Sequence, residues 1–114
     1  MLSYQGGVRV ASYTASKSGV VGITRLMANE WAALGIQVNA IAPALIMTDM
    51  TREFLSKPEV YAKMTADIPM KRLGEPREIA DVCAWLLSDA SSYVTGEIVV
   101  ADGGRMTLNY TVAV

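Results

Sequence analysis

Residues 12–43 read SYTASKSGVVGITRLMANEWAALGIQVNAIAP, and this stretch decides the fold class. Val20, Ile23, Met27, Trp31 and Leu34 recur at steps of three and four residues, the period of one helix face. Ser12 stands where an N-cap hydroxyl would satisfy free amides, and Gly35 where a left-handed residue would stop the last turn. The spacing predicts a helix over 12–34. Ile36-Gln37-Val38-Asn39-Ala40-Ile41-Ala42 follows at once, closed by Pro43, and reads as a short buried strand over 36–43. A long helix leading directly into such a strand is half of a β-α-β repeat, so the chain is an α/β protein. Gly19 and Gly22 lie within the helix, where each costs about 1 kcal/mol relative to alanine. Either they let another backbone approach closely or they are merely tolerated.

Outward from this unit, residues 44–72 are polar and methionine-containing, without one dominant period. Ser56-Lys57-Pro58-Glu59 reads as a capping box with Pro58 just inside a helix, and Pro69 ends that piece. The whole stretch reads as a helical lobe leaving the sheet, of the kind that covers a ligand. Ile79, Val82, Cys83, Leu86 and Leu87 predict a helix over 76–88, with Cys83 as a small core residue rather than a nucleophile. Glu97-Ile98-Val99-Val100-Ala101 predicts a last strand over 97–101, before an Asp102-Gly103-Gly104 turn and a tail over 105–114. Residues 1–11 read as a loop with a turn at Gly6-Gly7. Two or three strands cannot bury three amphipathic helices in a doubly wound parallel sheet, so the chain reads as part of a larger α/β domain.

Composition narrows the chemistry. The 114 residues are 52% hydrophobic and 18% charged, enough apolar surface to offset the entropy of ordering. Ten basic against eleven acidic residues give a net charge of −1, which argues against nucleic-acid binding. One cysteine excludes an internal disulfide, and the absence of histidine leaves a zinc site almost no ligands and removes imidazole acid–base catalysis. No run approaches the roughly 18 apolar residues of a membrane span, and the N-terminus is not a secretory signal. The expected location is the cytoplasm.

Any proton transfer therefore falls to tyrosine, lysine or a carboxylate. In Tyr13-Thr14-Ala15-Ser16-Lys17, tyrosine and lysine stand at i and i+4, where Cβ atoms on a helix are about 5–6 Å apart. An ammonium at that range favours a phenolate electrostatically. Such a tyrosine can exchange a proton with an alcohol while a bound cofactor handles hydride. The spacing by itself is common on solvated helix faces.

Five segments in order resemble the short-chain dehydrogenase/reductase family. They are Ser12 to Gly19, Asn29-Glu30-Trp31-Ala32, Val38 to Pro43, Arg72 to Ala80, and Asp102-Gly103-Gly104. The resemblance implies the C-terminal half of a Rossmann-like sheet, with the N-terminal dinucleotide-binding half absent. It also implies hydride transfer between NAD or NADP and a small alcohol or ketone. Tyr13 would be the general acid–base and a cofactor contact. Lys17 would assist it and hold the nicotinamide ribose. Pro43, Ile46 and Thr48 fall where the family meets the nicotinamide carboxamide, through a backbone N–H at Ile46 and a hydroxyl at Thr48. Pro43 could equally just end a strand, and Thr48 cap the next helix. Asn39 and the Asp102 turn read as structural.

Tyr4 to Val10 and Thr24 to Trp31 look most like sugar-acid dehydrogenases of the 2-deoxy-D-gluconate 3-dehydrogenase and gluconate 5-dehydrogenase type. Ala44 stands where the family usually has glycine. The family's glycine-rich loop and its catalytic asparagine and serine precede the tyrosine. The serine would fall one position ahead of Met1, so Ser3 does not inherit that role. The expectation is an incomplete chain, inactive alone, needing its N-terminal half and forming homodimers or homotetramers. The alternatives are a non-catalytic remnant serving as an oligomerisation module and, further off, a sugar epimerase or dehydratase.

Overall fold

The computed structural model describes residues 10–107. They gather into two compact units, one holding the chain up to Ala42 with Val82–Val100, the other Pro43–Asp81 with the residues from Ala101 onward. The fold is α/β. Strands β1 (Ala40–Pro43) and β2 (Ile98–Ala101) form a two-stranded sheet. Ala40 N–H donates to Glu97 C=O at 2.9 Å and Ala44 N–H to Ala101 C=O at 3.2 Å. The register is the same at both ends, as parallel strands require. No helix among the described residues is long and apolar enough to cross a membrane.

In the first unit, helix α1 (Ala11–Trp31) runs into a 3-10 turn over Ala32–Leu34, and Gly35 stops it at φ +77°. The buried positions of α1 are Thr24 and Ala28. Thr24 returns its hydroxyl to Val20 C=O at 2.7 Å, so no polar group is stranded. A Cβ on Gly96 would lie 3.3 Å from Ala28 Cβ, and Gly96 itself has φ +76°, so small residues and a glycine carry this approach.

The strand expected from residue 36 begins at Ala40. Before it, side chains replace the ladder. Gln37 Nε2 donates to the carbonyls of Ser91 and Val94. Asn39 Nδ2 donates to Val94 C=O at 2.9 Å, while its Oδ1 accepts Glu97 N–H at 3.0 Å. Val38 N–H donates to Thr95 Oγ1 at 3.1 Å. The 91–97 turn offers no regular strand edge, so amide side chains satisfy it instead.

In the second unit, helices α2 (Asp49–Leu55) and α3 (Pro58–Thr65) precede the start of helix α4 (Pro76–Leu86). Leu55, Ile68 and Leu73 form the core, with Leu45, Met47, Val60, Tyr61 and Met64 packed on it. The Asp102 carboxylate closes the last turn, its Oδ1 accepting Gly104 N–H at 2.8 Å and its Oδ2 accepting Met106 N–H at 2.7 Å. Gly103 C=O accepts Met70 N–H at 3.2 Å.

Local expectations fail where backbone groups find nearer partners. Ser12 is not the N-cap of α1: that position is Val10, without a side-chain cap, and Ser12 lies inside the helix. Ser56 does not open α3, since it ends α2 and gives its hydroxyl to Glu53 C=O at 2.6 Å; Lys57 precedes Pro58 at the helix start. Cys83 is exposed rather than a core residue. The apolar stripe of α1 is largely open, with Val20, Ile23 and Leu34 exposed and Met27 and Trp31 half-buried. No described atom lies within 4 Å of a Cβ on Gly19 or Gly22. Helix α4 stops at Leu86, two residues short of the expectation. The readings on residues 1–9 and 108–114 fall outside the described residues.

Candidate active site

Helix α1 supplies the first candidate group. One turn separates Tyr13 from Lys17, and Lys17 Nζ lies 5.3 Å from the centroid of the Tyr13 ring. The helix places the ammonium over the aromatic face, where the ring quadrupole attracts it. Tyr13 is 51% exposed, so its phenol is open to a partner. Ser16 Oγ donates to Tyr13 C=O at 2.8 Å, a contact within the same turn.

The second unit supplies a loop. Pro43 ends β1 and is exposed. Ile46 then pairs with Gly74 in an isolated parallel bridge. Gly74 N–H donates to Leu45 C=O at 3.1 Å, and Met47 N–H donates to Gly74 C=O at 2.8 Å. This bridge uses the neighbours of Ile46, so the N–H and C=O of Ile46 itself turn to the opposite edge. There the C=O accepts Thr51 Oγ1–H at 3.1 Å. A Cβ on Gly74 would come within 2.7 Å of Ile46 Cδ1, so the end of that side chain would have to turn aside.

Thr48 is the N-cap of α2. Its C=O accepts Thr51 N–H at 3.0 Å and Arg52 N–H at 2.9 Å. Its N–H donates to Thr51 Oγ1 at 2.9 Å, and the two hydroxyl oxygens are 3.2 Å apart. Thr51 was not among the residues expected at the site. The signal for it lay in Thr48-Asp49-Met50-Thr51, a cap followed three residues later by a side chain able to reach back.

Arg72 and Glu78 brace the segment that carries Gly74. Arg72 Nη1 donates to Glu78 Oε2 at 2.8 Å and Nη2 to Oε1 at 2.6 Å, a two-pronged pair. Glu78 Oε2 also accepts Glu75 N–H at 2.8 Å, capping α4. The Arg72 hydrogen bond, and after it the Glu75 amide, holds the Glu78 carboxyl down at about 2, from an ordinary value of 4.5. Glu78 in turn raises Arg72 above its ordinary value, chiefly through the same hydrogen bond.

Tyr13 and Lys17 thus lie together in the first unit. Ile46 and Thr48 lie together in the second, with Thr51 and Gly74 around them and Pro43 at the end of β1. Asn39 spends both ends of its amide on the backbone, as expected of a structural residue.

A family model described as "Enoyl-(Acyl carrier protein) reductase" matches residues 1–106. The 2-dehydro-3-deoxy-D-gluconate 5-dehydrogenase of Escherichia coli (strain K12) is 50% identical over 104 residues, covering 91% of this chain and 41% of that protein. A solved structure assigned as a 2-deoxy-D-gluconate 3-dehydrogenase from Agrobacterium tumefaciens, with bound NADP, superposes with a TM-score of 0.87 at 47% identity. That alignment covers 94% of this chain and 44% of the other. A short-chain dehydrogenase/reductase from Brucella melitensis, titled glucose/ribitol dehydrogenase, superposes at 0.82 with 39% identity, covering 92% of this chain and 42% of the other. The chain therefore spans under half the length of these relatives. With the family model matching nearly its whole length, the chain belongs to the short-chain dehydrogenase/reductase family.

Proposed function

We propose that this chain carries the proton-transfer residues of an NAD(P)-dependent oxidoreductase acting on a small alcohol or ketone, a sugar acid or polyol. The observation that carries the reading is the Tyr13–Lys17 pair, with the ammonium 5.3 Å from the ring centroid and the phenol exposed. Tyr13 exchanges the hydroxyl proton of the substrate. Lys17 places its ammonium over the Tyr13 ring, within one helix turn of the phenol. The names of the relatives support a sugar-acid substrate, and one of the solved structures holds NADP.

The second unit fits the nicotinamide end of that cofactor. Ile46 turns its N–H away from the Gly74 bridge, and Thr48 adds a hydroxyl two residues on. Pro43 ends β1 ahead of this loop. When bound, NAD or NADP supplies the hydride acceptor or donor. The role of this chain is to hold the carboxamide through Ile46 and Thr48, to hold the ribose hydroxyls through Lys17, and to move the proton at the Tyr13 oxygen.

A second reading is a non-catalytic module that associates through its helices. It draws on Val20, Ile23 and Leu26, which are each about half exposed along α1. In either reading we propose a homo-oligomeric, cytoplasmic protein. Assays of nicotinamide absorbance with sugar acids, on this chain alone and combined with the preceding segment of the Escherichia coli relative, separate the two. The oxidoreductase reading predicts turnover in the combined sample, lost in Tyr13→Phe. No turnover in either sample, with association intact, favours the module.

A further inference from the structure

The hydroxyl of Thr51 sits among four polar atoms, more partners than a capping role requires. Thr48 N–H donates to it at 2.9 Å, Thr48 Oγ1 lies at 3.2 Å, and the carbonyl oxygens of Ile46 and Thr48 each lie at 3.1 Å. A threonine hydroxyl has one proton and two lone pairs. The two carbonyl oxygens can only accept, so the single Thr51 proton goes to one of them. One Thr51 lone pair already holds the Thr48 amide. The remaining lone pair faces Thr48 Oγ1, and the partner it can take there is the Thr48 hydroxyl proton. This arrangement fills every slot on Thr51, whereas the reverse polarity would send its proton to Thr48 and leave both carbonyls without it.

The consequence falls on Thr48. Its only hydroxyl proton is drawn inward and one lone pair serves the Thr51 amide in the capping box, so the oxygen keeps one lone pair for a donor outside. Ile46 turns its N–H to the same edge as its C=O, the edge where Thr51 binds that C=O. The loop therefore presents a backbone donor at Ile46 and an acceptor at Thr48, both halves anchored to one hydroxyl.

We propose that Thr51 is a positioning residue that fixes the donor–acceptor polarity of Thr48, so that the loop selects a primary carboxamide over a carboxylate. A primary carboxamide presents one acceptor and one donor, the complement of this pair. A carboxylate presents two acceptors and meets the Thr48 lone pair with its own. This rests on the reading that the loop holds a nicotinamide group, and it adds the residue that makes the loop discriminate.

The test uses the isotope-labelled chain and backbone NMR, titrated with nicotinamide mononucleotide and with its carboxylate twin, nicotinic acid mononucleotide. The probes are the amide signals of Ile46 and Thr48. The expected result is at least about tenfold preference for the carboxamide in the parent chain. Thr51→Val removes the hydroxyl at nearly constant shape and brings the preference close to one, while Thr51→Ser restores it. An unchanged preference in Thr51→Val overturns the proposal, as does a loss that Thr51→Ser fails to rescue. The parent chain without ligand gives a separate reading. The Thr48 hydroxyl proton is expected to exchange slowly and to show a cross-peak to Thr51, and rapid exchange overturns the proposal whatever the nucleotides do. If neither nucleotide moves Ile46 in the parent chain, the nicotinamide reading fails, and the hydroxyl proton still decides the polarity of Thr48.

Discussion

Gly103 lies at φ +64°, and a Cβ there would stand 2.9 Å from Cγ2 of Ile68, which is 1% exposed and cannot move aside. Gly103→Ala is expected to lower unfolding stability by more than about 1 kcal/mol, read as the shift of a urea midpoint. Glu78 makes a different kind of prediction. Its carboxyl titrates at about 2 in the folded chain, below its ordinary 4.5, so the pair with Arg72 adds stability that is fully present above 4.5. That contribution disappears as pH falls through about 2. The midpoint difference between the parent chain and Glu78→Gln should therefore be constant above 4.5 and narrow on acidification. Both side chains are near half exposure, so salt should shrink the difference at every pH. At this scale the sequence placed Tyr13 and Lys17 side by side, because a four-residue step on a helix leaves little choice of geometry. Thr51 stayed hidden. The Thr48–Thr51 spacing marks it as a cap partner, but its importance comes from two backbone carbonyls and an amide converging on one hydroxyl, which that spacing does not encode.

The elements themselves were legible in type and less so in extent. Helix α1 and strand β2 follow from periodicity and β-branched content, since these reflect the backbone's own preferences. The strand expected from residue 36 begins at Ala40 because Gln37 and Asn39 use their side-chain amides to hold the 91–97 turn. Asn39 does this with both ends, so Asn39→Ala should cost about 1–3 kcal/mol and loosen Glu97, seen as faster amide exchange there. Caps were read too simply. Ser12 and Ser56 both suit an N-cap by type, but the helix ends are set by the first backbone group without a partner, which a residue type does not locate. Thr48 did become a cap, and the same geometry turns its hydroxyl toward Thr51, so the two readings of that residue are compatible.

Over the whole molecule, an apolar stripe that would be core in a closed fold stands open. Val20 and Ile23 on α1, with Leu34 just beyond it, lie on its apolar stripe and are exposed. Periodicity reports which face is apolar and is silent about what covers it, and this is why Cys83 was placed inside and is found outside. The chain spans 41% of its Escherichia coli relative, so the reaction is tested with the rest of that fold supplied. The central claim is that Tyr13 moves the proton while Lys17 holds charge beside it. The most direct measurement is NAD(P)-linked turnover of a sugar acid by the chain joined to the preceding segment of that relative, for the parent and for Tyr13→Phe at equal stability. The account predicts a loss of at least about 100-fold with the cofactor still bound. Turnover of Tyr13→Phe within a few fold of the parent would contradict it.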